Sequence, residues 1–325
     1  MEHRVRISQT GSPDVQVLES FEQPLPGPGE ALIRHSAIGV NMIDTYHRSG
    51  LYQVPLPATL GVEAAGVIER LGPQTDDYGL REGQRLVYTA QTPGAYASVR
   101  LMPTERLVPL PDEISDEVAA ASFLKGLTVE FLVRRAHAVR FAEPVLLHAA
   151  SGGVGSLALQ WLTDLGAKVI ATVGSDDKAK LAKQNGAEHV IVYTREDFKA
   201  KVRELYPEGV PVVYDSVGKA TFEGSLDCLA PRGLLISYGN ASGKPPPFDL
   251  ATLAAKGSLF ITRPTLYAYI RTRPELLTAA GALFDMLKQG KLTTQISQRF
   301  PLAEAAAAHR ALESRQTTGQ LLLLP

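Results

Sequence analysis

The sequence has little cysteine and no long apolar run. Cys228 is the one cysteine in 325 residues, which excludes an intramolecular disulfide and a multi-cysteine zinc site. Its surroundings, FEGSLDCLA, predict a helix face and a buried, inert thiol. No window approaches the apolar length that crosses a bilayer, and the N-terminal MEHRVRISQTGSP lacks the apolar core of a signal peptide. We therefore expect a cytoplasmic protein with no membrane partner.

An excess of charge of either sign is also absent. Lysine and arginine total 33 against 34 aspartate and glutamate, so we expect no nucleic-acid partner. No tyrosine is followed by lysine four residues later, and GNASG at 239–243 lacks the serine-elbow spacing. The histidines form no close ligand pair in the sequence, so we expect them on the surface or hydrogen-bonded in the core: His35, His47, His137, His148 and His309.

Three zones of pattern follow one another along the chain. Residues 1–120 contain short β-rich runs such as EALIRHSAIGV, separated by proline- and glycine-rich segments. From 121 to about 262, strands and helices alternate, which predicts a parallel, doubly wound sheet. The remaining tail is too short for a domain of its own, so we expect it to pack on the first zone. The predicted fold class is α/β.

Residues 144–165, PVLLHAASGGVGSLALQWLTDL, read as a buried strand, a glycine turn and an amphipathic helix. The turn has the spacing of a dinucleotide-binding fingerprint, with Ala150 in the place of the first glycine. Gly152 would let the backbone approach a pyrophosphate, and Gly155 would let helix and strand pack closely. The pattern favours a nicotinamide dinucleotide, and the alternatives are a purely structural turn or an FAD site.

The next strand, KVIATV, ends at the position that reads the adenosine ribose. Gly174 and Ser175 stand where an NAD enzyme usually carries an acidic residue, and Lys178 follows. A hydroxyl and a lysine suit a 2′-phosphate, so NADPH is favoured over NADH. If Asp176 or Asp177 faces the ribose, its carboxylate counts against NADPH. If both only favour the start of the next helix, they have no bearing on the choice between NADPH and NADH.

Separated motifs then agree in order and spacing with one known family. They are GVNMIDTYHRSGLY at 39–52, LGVEAAGVIERLG at 60–72, LKGLTVEFLV at 124–133, HAASGGVGSLALQW at 148–161, VVYDSVG at 212–218, SYGNASG at 237–243 and ITRPTL at 261–266. In these motifs the sequence resembles the zinc-free quinone oxidoreductases of the medium-chain dehydrogenase/reductase superfamily, the zeta-crystallin-like group. The resemblance implies a GroES-like, β-rich catalytic domain at 1–120 completed by 265–325, a Rossmann NADPH-binding domain at 121–264, and a homodimer.

The sequence departs from the zinc-dependent branch of that superfamily. Asn41 stands where zinc alcohol dehydrogenases have a cysteine ligand, and Val62 stands where their GHE motif supplies a histidine. The segment GQRLVYTAQTPGAYASV lacks the cysteines of the structural zinc lobe. We therefore expect no metal. Without a Lewis acid the acceptor must take hydride unaided, which a quinone does because its product regains aromaticity.

The resemblance also implies which residues surround the two ligands. The candidate catalytic residues are Asn41, Asp44, Tyr46 and Tyr52. A tyrosine could donate a hydrogen bond to the acceptor, or both tyrosines could only shape an apolar slot. The cofactor-binding residues implied are Asn41, Lys125 and Thr128 at the nicotinamide end, Gly152, Gly153, Val154 and Gly155 at the pyrophosphate, Ser175, Lys178 and Tyr193 at the adenosine phosphate, Tyr238, Gly239, Asn240 and Arg263 near the nicotinamide half, and Arg315, at the 2′-phosphate or in a surface ion pair.

The function that these expectations describe is an NADPH:quinone oxidoreductase that transfers hydride without a metal. One alternative is a zinc-free, NADPH-dependent reductase of enone or alkenal double bonds, in which a tyrosine stabilises or protonates the enolate. A second is a non-enzymatic, nucleotide-responsive RNA-binding protein, against which the near-neutral charge counts.

Overall fold

The computed structural model describes residues 1–75, 78–314 and 317–325 of the chain. It divides into two compact units, of which the first comprises Met1–Leu127 with Ile270–Pro325 and the second Thr128–Tyr269. No helix in the described ranges is both long and apolar enough to cross a membrane.

The helices and strands alternate along most of the chain. The strands are β1 Glu2–Ile7, β2 Val17–Phe21, β3 Glu30–Val40, β4 Ala58–Thr59, β5 Glu63–Leu71, β6 Arg85–Thr89, β7 Val99–Pro103, β8 Val108–Pro109, β9 Pro144–Leu147, β10 Lys168–Val173, β11 His189–Val192, β12 Val210–Asp215, β13 Leu229–Ser237, β14 Phe260–Thr262, β15 Ile296–Pro301 and β16 Gln320–Leu324. The α-helices are α1 Met42–Ser49, α2 Asp116–Phe131, α3 Gly153–Asp164, α4 Asp176–Gln184, α5 Phe198–Leu205, α6 Phe222–Asp227, α7 Ala251–Ala255, α8 Leu266–Tyr269, α9 Arg273–Lys288 and α10 Ala305–Glu313.

The first unit is built around a largely antiparallel sheet with the strand order β15-β16-β3-β5-β6-β8, in which β7 also pairs with β3. The C-terminal strand β16 lies antiparallel to β3, with Leu322 opposite Gly39. Apolar side chains such as Ile33, Ile68 and Leu86 are fully buried in its core. Helix α1 begins two residues after β3, so residues at the end of that central strand have fixed positions.

The second unit has a parallel sheet with the strand order β11-β10-β9-β12-β13-β14. This is the doubly wound order, in which successive strands are added on one side of β9 up to β11 and on its other side from β12 onward. The central strands are apolar on both faces, as a sheet covered by helices on both sides requires. The predicted α/β fold with a parallel, doubly wound sheet is confirmed.

Candidate functional site

The implied cofactor residues of the second unit follow the carboxyl ends of its parallel strands, with Thr128 in α2 as the exception. β9 ends six residues before Gly153, β10 ends just before Gly174, and β11 ends just before Tyr193. Tyr238 follows β13, and Arg263 follows β14. Because the carboxyl ends of parallel strands meet at one edge of the sheet, these segments form a single rim. Open α/β sheets bind nucleotides at this edge.

The glycine turn after β9 joins directly to helix α3, which begins at Gly153 rather than after the turn. A Cβ on Gly155 would lie 2.1 Å from the carbonyl oxygen of Ala149, so only glycine allows this approach of helix to turn. A Cβ on Gly152 would meet only the same oxygen, at 3.2 Å, and Gly152 is exposed. Since the first N–H groups of a helix lack intrahelical acceptors, the turn offers an anion an accessible set of donors.

The segment after β10 forms the cap of helix α4. Ser175 is the N-cap residue, and its Oγ accepts a hydrogen bond from the backbone N–H of Lys178 at 3.4 Å. Helix α4 begins at Asp176, so Asp176 and Asp177 both lie in its first turn. Tyr193 is half exposed, and its hydroxyl lies 2.8 Å from where a Cβ on Gly174 would stand. Residues 174–178 and 193–195 therefore make up one corner of the rim, which we call the adenosine corner.

The residues after β13 are held by backbone contacts. A Cβ on Gly239 would lie 2.5 Å from the carbonyl oxygen of Ser216, and Asn240 is buried. Desolvation raises the pKa of Tyr238 to about 12, so its phenol is neutral at physiological pH. Arg263 donates to the carbonyl oxygen of Ser237 at 2.7 Å. Thr128 is half-buried in α2, and Arg315 lies outside the described residues.

Asp215, at the end of β12, was not among the predicted site residues. It accepts hydrogen bonds from the segments that follow β12, next to the central strand β9. Its Oδ1 accepts the backbone N–H groups of Val217 and Gly218 at 2.8 and 3.1 Å, and its Oδ2 accepts the hydroxyl of Ser225 at 2.8 Å. The ring of His148 contacts the same hydroxyl at 3.1 Å and Thr172 at 2.9 Å. Burial lowers the pKa of His148, so this buried network contains a neutral imidazole.

In the first unit, a buried carboxylate joins two of the implied site residues. Glu63, the first residue of β5, is fully buried, and its Oε1 accepts the side-chain amide of Asn41 at 2.7 Å and the ammonium of Lys125 at 3.3 Å. Its Oε2 accepts the backbone N–H of Leu124 at 2.7 Å. A Cβ on Gly39 would lie 2.3 Å from Oε1, so this carboxylate packs tightly against the end of β3. The signal for Glu63 in the sequence is a carboxylate at the start of the apolar run EAAGVI, which needs a buried partner.

Asp44 is also fully buried, beside this cluster. Its Oδ2 accepts the backbone N–H of Asn41 at 2.8 Å and the hydroxyl of Tyr96 at 3.0 Å, while Oδ1 has no hydrogen-bond partner among the described residues. Burial raises the pKa of Asp44 to about 7. Nε2 of His309 lies 3.0 Å from the same phenol oxygen, and burial lowers the pKa of this imidazole to about 3. The structure gives Asp44 a capping contact at the start of α1, and its catalytic role stays a prediction.

Tyr46 and Tyr52 lie close together at the other end of α1. Their ring centroids are 5.2 Å apart in an edge-to-face arrangement, and both residues are half-buried. The backbone N–H of Tyr52 donates to the carbonyl oxygen of Tyr46 at 3.1 Å, which fixes the turn between them. The pair presents two phenol groups on adjoining aromatic rings, and whether it acts through either phenol stays a prediction.

The described residues hold no group of three or more His, Cys, Asp or Glu side chains that could bind a metal ion. His35, His148 and His309 are buried and hydrogen-bonded, as the sequence predicts for core histidines. Cys228 is buried at the C-terminal end of α6, where burial raises the pKa of its thiol to about 12. A thiol with such a pKa is a poor nucleophile at neutral pH.

Two family models match the chain. The alcohol dehydrogenase GroES-like domain matches residues 27–112, and the zinc-binding dehydrogenase model matches residues 153–280. Together with a parallel sheet of the dinucleotide-binding order, they define the class as a medium-chain dehydrogenase/reductase. The predicted combination of a Rossmann sheet and a GroES-like part is confirmed.

Similar proteins of known name or structure show which family within this superfamily the chain belongs to. The quinone oxidoreductase of Pseudomonas aeruginosa is 47% identical over 327 residues, covering 100% of both chains. The Escherichia coli quinone oxidoreductase, crystallised with NADPH, matches with a TM-score of 0.97 at 45% identity over 99% of this chain and 100% of that one. A 2-haloacrylate reductase from a Burkholderia species is 43% identical over 98% of each chain. The chain belongs to the quinone oxidoreductase family, as the sequence motifs predict.

Proposed function

We propose that this protein is an NADPH:quinone oxidoreductase that works without a metal. The observation that carries the proposal is the full-length likeness to the Escherichia coli quinone oxidoreductase crystallised with NADPH. The test is to follow NADPH and NADH oxidation with a panel of quinones, enones and alcohols. NADPH oxidation with quinones as the best acceptors supports the proposal, and turnover with alcohols alone contradicts it.

The rim of the second unit fits NADPH. The exposed Gly152 leaves room for a pyrophosphate, and Gly153 to Gly155 begin a helix whose positive end favours its charge. At the adenosine corner, Ser175 and Lys178 supply a hydroxyl and an ammonium for a 2′-phosphate, and Tyr193 supplies an exposed ring for the adenine. When bound, NADPH supplies the hydride.

The buried carboxylate of Glu63 orients the polar groups proposed for the nicotinamide and acceptor end. The amide nitrogen of Asn41 donates to Glu63, and the amide oxygen, which accepts the backbone N–H of Asp44 in the capping box, has a second lone pair for a ribose hydroxyl. The ammonium of Lys125 is held by the same oxygen and has further protons to donate. Both side chains are therefore set in place before a ligand arrives, which lowers the cost of ordering them.

The two tyrosines at α1 supply positioning and weak polar stabilisation for the acceptor. Their edge-to-face packing holds both rings, so a planar acceptor meets a surface that is already ordered. We propose that hydride passes directly to the acceptor without a covalent protein intermediate, since the buried thiol of Cys228 is protonated. Deuterated NADPH should slow single-turnover oxidation, and alkylating Cys228 should leave that isotope effect unchanged.

Asn41 and Val62 in place of zinc ligands support the metal-free mechanism. The side-chain amide of Asn41 donates to Glu63. Zinc is bound in proteins by cysteine, histidine and carboxylate side chains, and neither Asn41 nor Val62 is one of these. We expect the purified enzyme to contain no stoichiometric zinc and to keep its activity in a strong chelator. Metal analysis that finds one tightly held zinc per chain contradicts this part of the proposal.

The likeness to a 2-haloacrylate reductase favours a second candidate, reduction of an activated carbon–carbon double bond. This reaction adds hydride to one carbon and needs a proton at the other, so it needs a general acid where a quinone needs only orientation. Comparing kcat/KM for quinones and alkenals with the same enzyme separates the two candidates.

We further propose a homodimer formed by edge pairing along residues 258–263. Strand β14 lies at the edge of the parallel sheet, and Phe260 on it is 60% exposed. An apolar edge strand is normally paired or covered. Sedimentation at micromolar concentration should give a dimer, and a monomer contradicts the assignment. The cytoplasmic location stays a prediction that cell fractionation would test.

A further inference from the structure

The adenosine corner contains an ion pair that sequence analysis could not foresee. Strands β10 and β11 are parallel neighbours with Val173 opposite Val192, so the segments that follow them lie side by side. The backbone N–H of Tyr193 donates to the carbonyl oxygen of Val173 at 3.1 Å. The hydroxyl of Thr194 donates to the carbonyl oxygen of Gly174 at 3.4 Å. Residues 193–195 are thereby joined to residues 174–176.

Arg195 is held at this corner by a closed turn. Its backbone N–H and that of Glu196 both donate to the carbonyl oxygen of Val192 at 3.1 Å, and the carboxylate of Glu196 accepts the N–H of Val192 at 2.8 Å. The guanidinium then reaches both oxygens of Asp176, at 2.8 Å from Oδ2 and 2.6 Å from Oδ1. Such a two-point contact is the geometry that arginine makes best with a carboxylate.

This pair bears on the one feature of the sequence that counts against NADPH. Asp176 directly follows Ser175, and a bare carboxylate there would repel a 2′-phosphate. Arg195 lowers the pKa of Asp176, so the carboxylate is ionised and depends on the guanidinium for neutralisation. The second acidic residue, Asp177, forms its own pair with Lys180 at 3.0 Å. Both aspartates are thus matched by cations from the same unit.

We propose that Arg195 determines coenzyme specificity by neutralising Asp176, so that the adenosine corner accepts a 2′-phosphomonoester. This inference rests on the proposed function in that the ligand is NADPH. It assigns Arg195 a positioning role that acts through Asp176, with the phosphate itself left to Ser175 and Lys178. The consequence is that Arg195 is dispensable once Asp176 no longer carries a charge.

The test measures nucleotide binding alone, by calorimetric titration with 2′,5′-ADP and with 5′-ADP at low ionic strength. Arg195→Ala should weaken 2′,5′-ADP binding about fivefold or more and change 5′-ADP binding by less than about twofold. Asp176→Asn in the Arg195→Ala background should restore 2′,5′-ADP binding to within about twofold of the wild type. Asp176→Asn alone should bind 2′,5′-ADP at least as tightly as the wild type.

Lys201→Ala is the matched control, because Lys201 forms an exposed pair with Glu204 at 2.9 Å in the same unit and its loss changes the net charge equally. It should leave both affinities unchanged. Equal losses in Arg195→Ala and Lys201→Ala, equal losses for both nucleotides, or a double variant as weak as Arg195→Ala would each overturn the inference. If the wild type itself fails to prefer 2′,5′-ADP, the NADPH assignment falls and this inference falls with it. A failure to reduce quinones leaves the binding result standing.

Discussion

The charged side chains of the candidate site are buried in the first unit and exposed to solvent in the second. In the first unit, Glu63 and Asp44 are fully buried and Lys125 nearly so. In the second, the charges of the adenosine corner are on the surface, where Asp176 and Arg195 are 64% and 58% exposed. A buried charge must be paired or neutral, whereas an exposed one is screened by water and salt.

The difference shows which residues can vary without loss of the fold. A change in the buried cluster should alter stability, because each carboxylate also accepts a backbone N–H group. A change at the adenosine corner should leave the fold intact, because exposed pairs contribute little to stability. The four predictions below test this contrast in order of decreasing effect.

Glu63→Leu should cause the largest loss. It leaves the buried ammonium of Lys125 and the N–H of Leu124 without their acceptor, so the free energy of unfolding should fall by about 3–5 kcal/mol. Urea denaturation measures this. Glu117→Gln, which removes the exposed partner of Arg299, is the control and should cost at most about 1 kcal/mol. Both variants change the first unit, so similar losses in the two would mean that burial of the carboxylate does not decide the cost of removing it.

Asp44 should make stability depend on pH. Its pKa is about 7 in the folded protein and near the ordinary 3.8 when unfolded, so between these values the folded state binds a proton that the unfolded state does not. The contribution of Asp44 to the unfolding free energy should therefore fall as pH rises from about 4 to about 7, by up to about 4 kcal/mol, and level off above pH 7.

Asp44→Asn is the reference for this pH effect, since its amide oxygen can still accept from Asn41 and Tyr96. The imidazole of His309, whose pKa is lowered to about 3, contributes the opposite slope below about pH 6.5 in both variants. The difference between wild type and Asp44→Asn isolates the carboxyl group. Parallel stability curves over this range would show that Asp44 stays ionised.

Lys178→Glu should act on coenzyme choice and leave the fold intact. It replaces a charge-assisted phosphate contact by repulsion, so NADPH binding should weaken by roughly 1.5–3 kcal/mol while NADH binding changes far less. Fluorescence titration with each coenzyme measures the effect, with Lys201→Glu as the charge-matched control. Equal weakening of both coenzymes, or a wild type that prefers NADH, would refute the assignment.

Tyr46→Phe and Tyr52→Phe should have the smallest effects. If the tyrosines only orient the acceptor, each variant should lower kcat for a quinone by about tenfold or less, near 1.4 kcal/mol. A general acid usually contributes 10²–10⁴-fold. A thousandfold loss from either change would identify that phenol as an acid and favour the double-bond reductase candidate. Steady-state kinetics with one quinone and one alkenal is the measurement.

The rim of the second unit was predictable because its signals are local. The glycine turn, the strand that ends at Gly174 and the hydroxyl at Ser175 lie within one stretch of sequence, and periodicity alone identified the flanking elements. The sequence does not locate the first residue of α3, because the apolar pattern does not show that Gly153 already has helical geometry.

The buried cluster of the first unit was only partly predictable. Motifs pointed to Asn41 and Lys125, but nothing in the sequence joins them through Glu63, which is 22 residues from one and 62 from the other. The contact between Tyr96 and His309 spans 213 residues. Partners this distant are set by sheet pairing, such as that of β16 with β3, and single-sequence patterns carry no record of it.

The crowding at Gly39 matters for directed evolution of this enzyme. Any side chain there would collide with the carbonyl oxygen of Ala120 and with Oε1 of Glu63, both 2.3 Å from the first added carbon. A library that randomises the end of β3 would therefore consist mostly of misfolded clones. Tyr46 and Tyr52, the half-buried residues of the proposed acceptor site, are better positions for such a library, because neither contributes a side-chain contact to the carboxylate of Glu63.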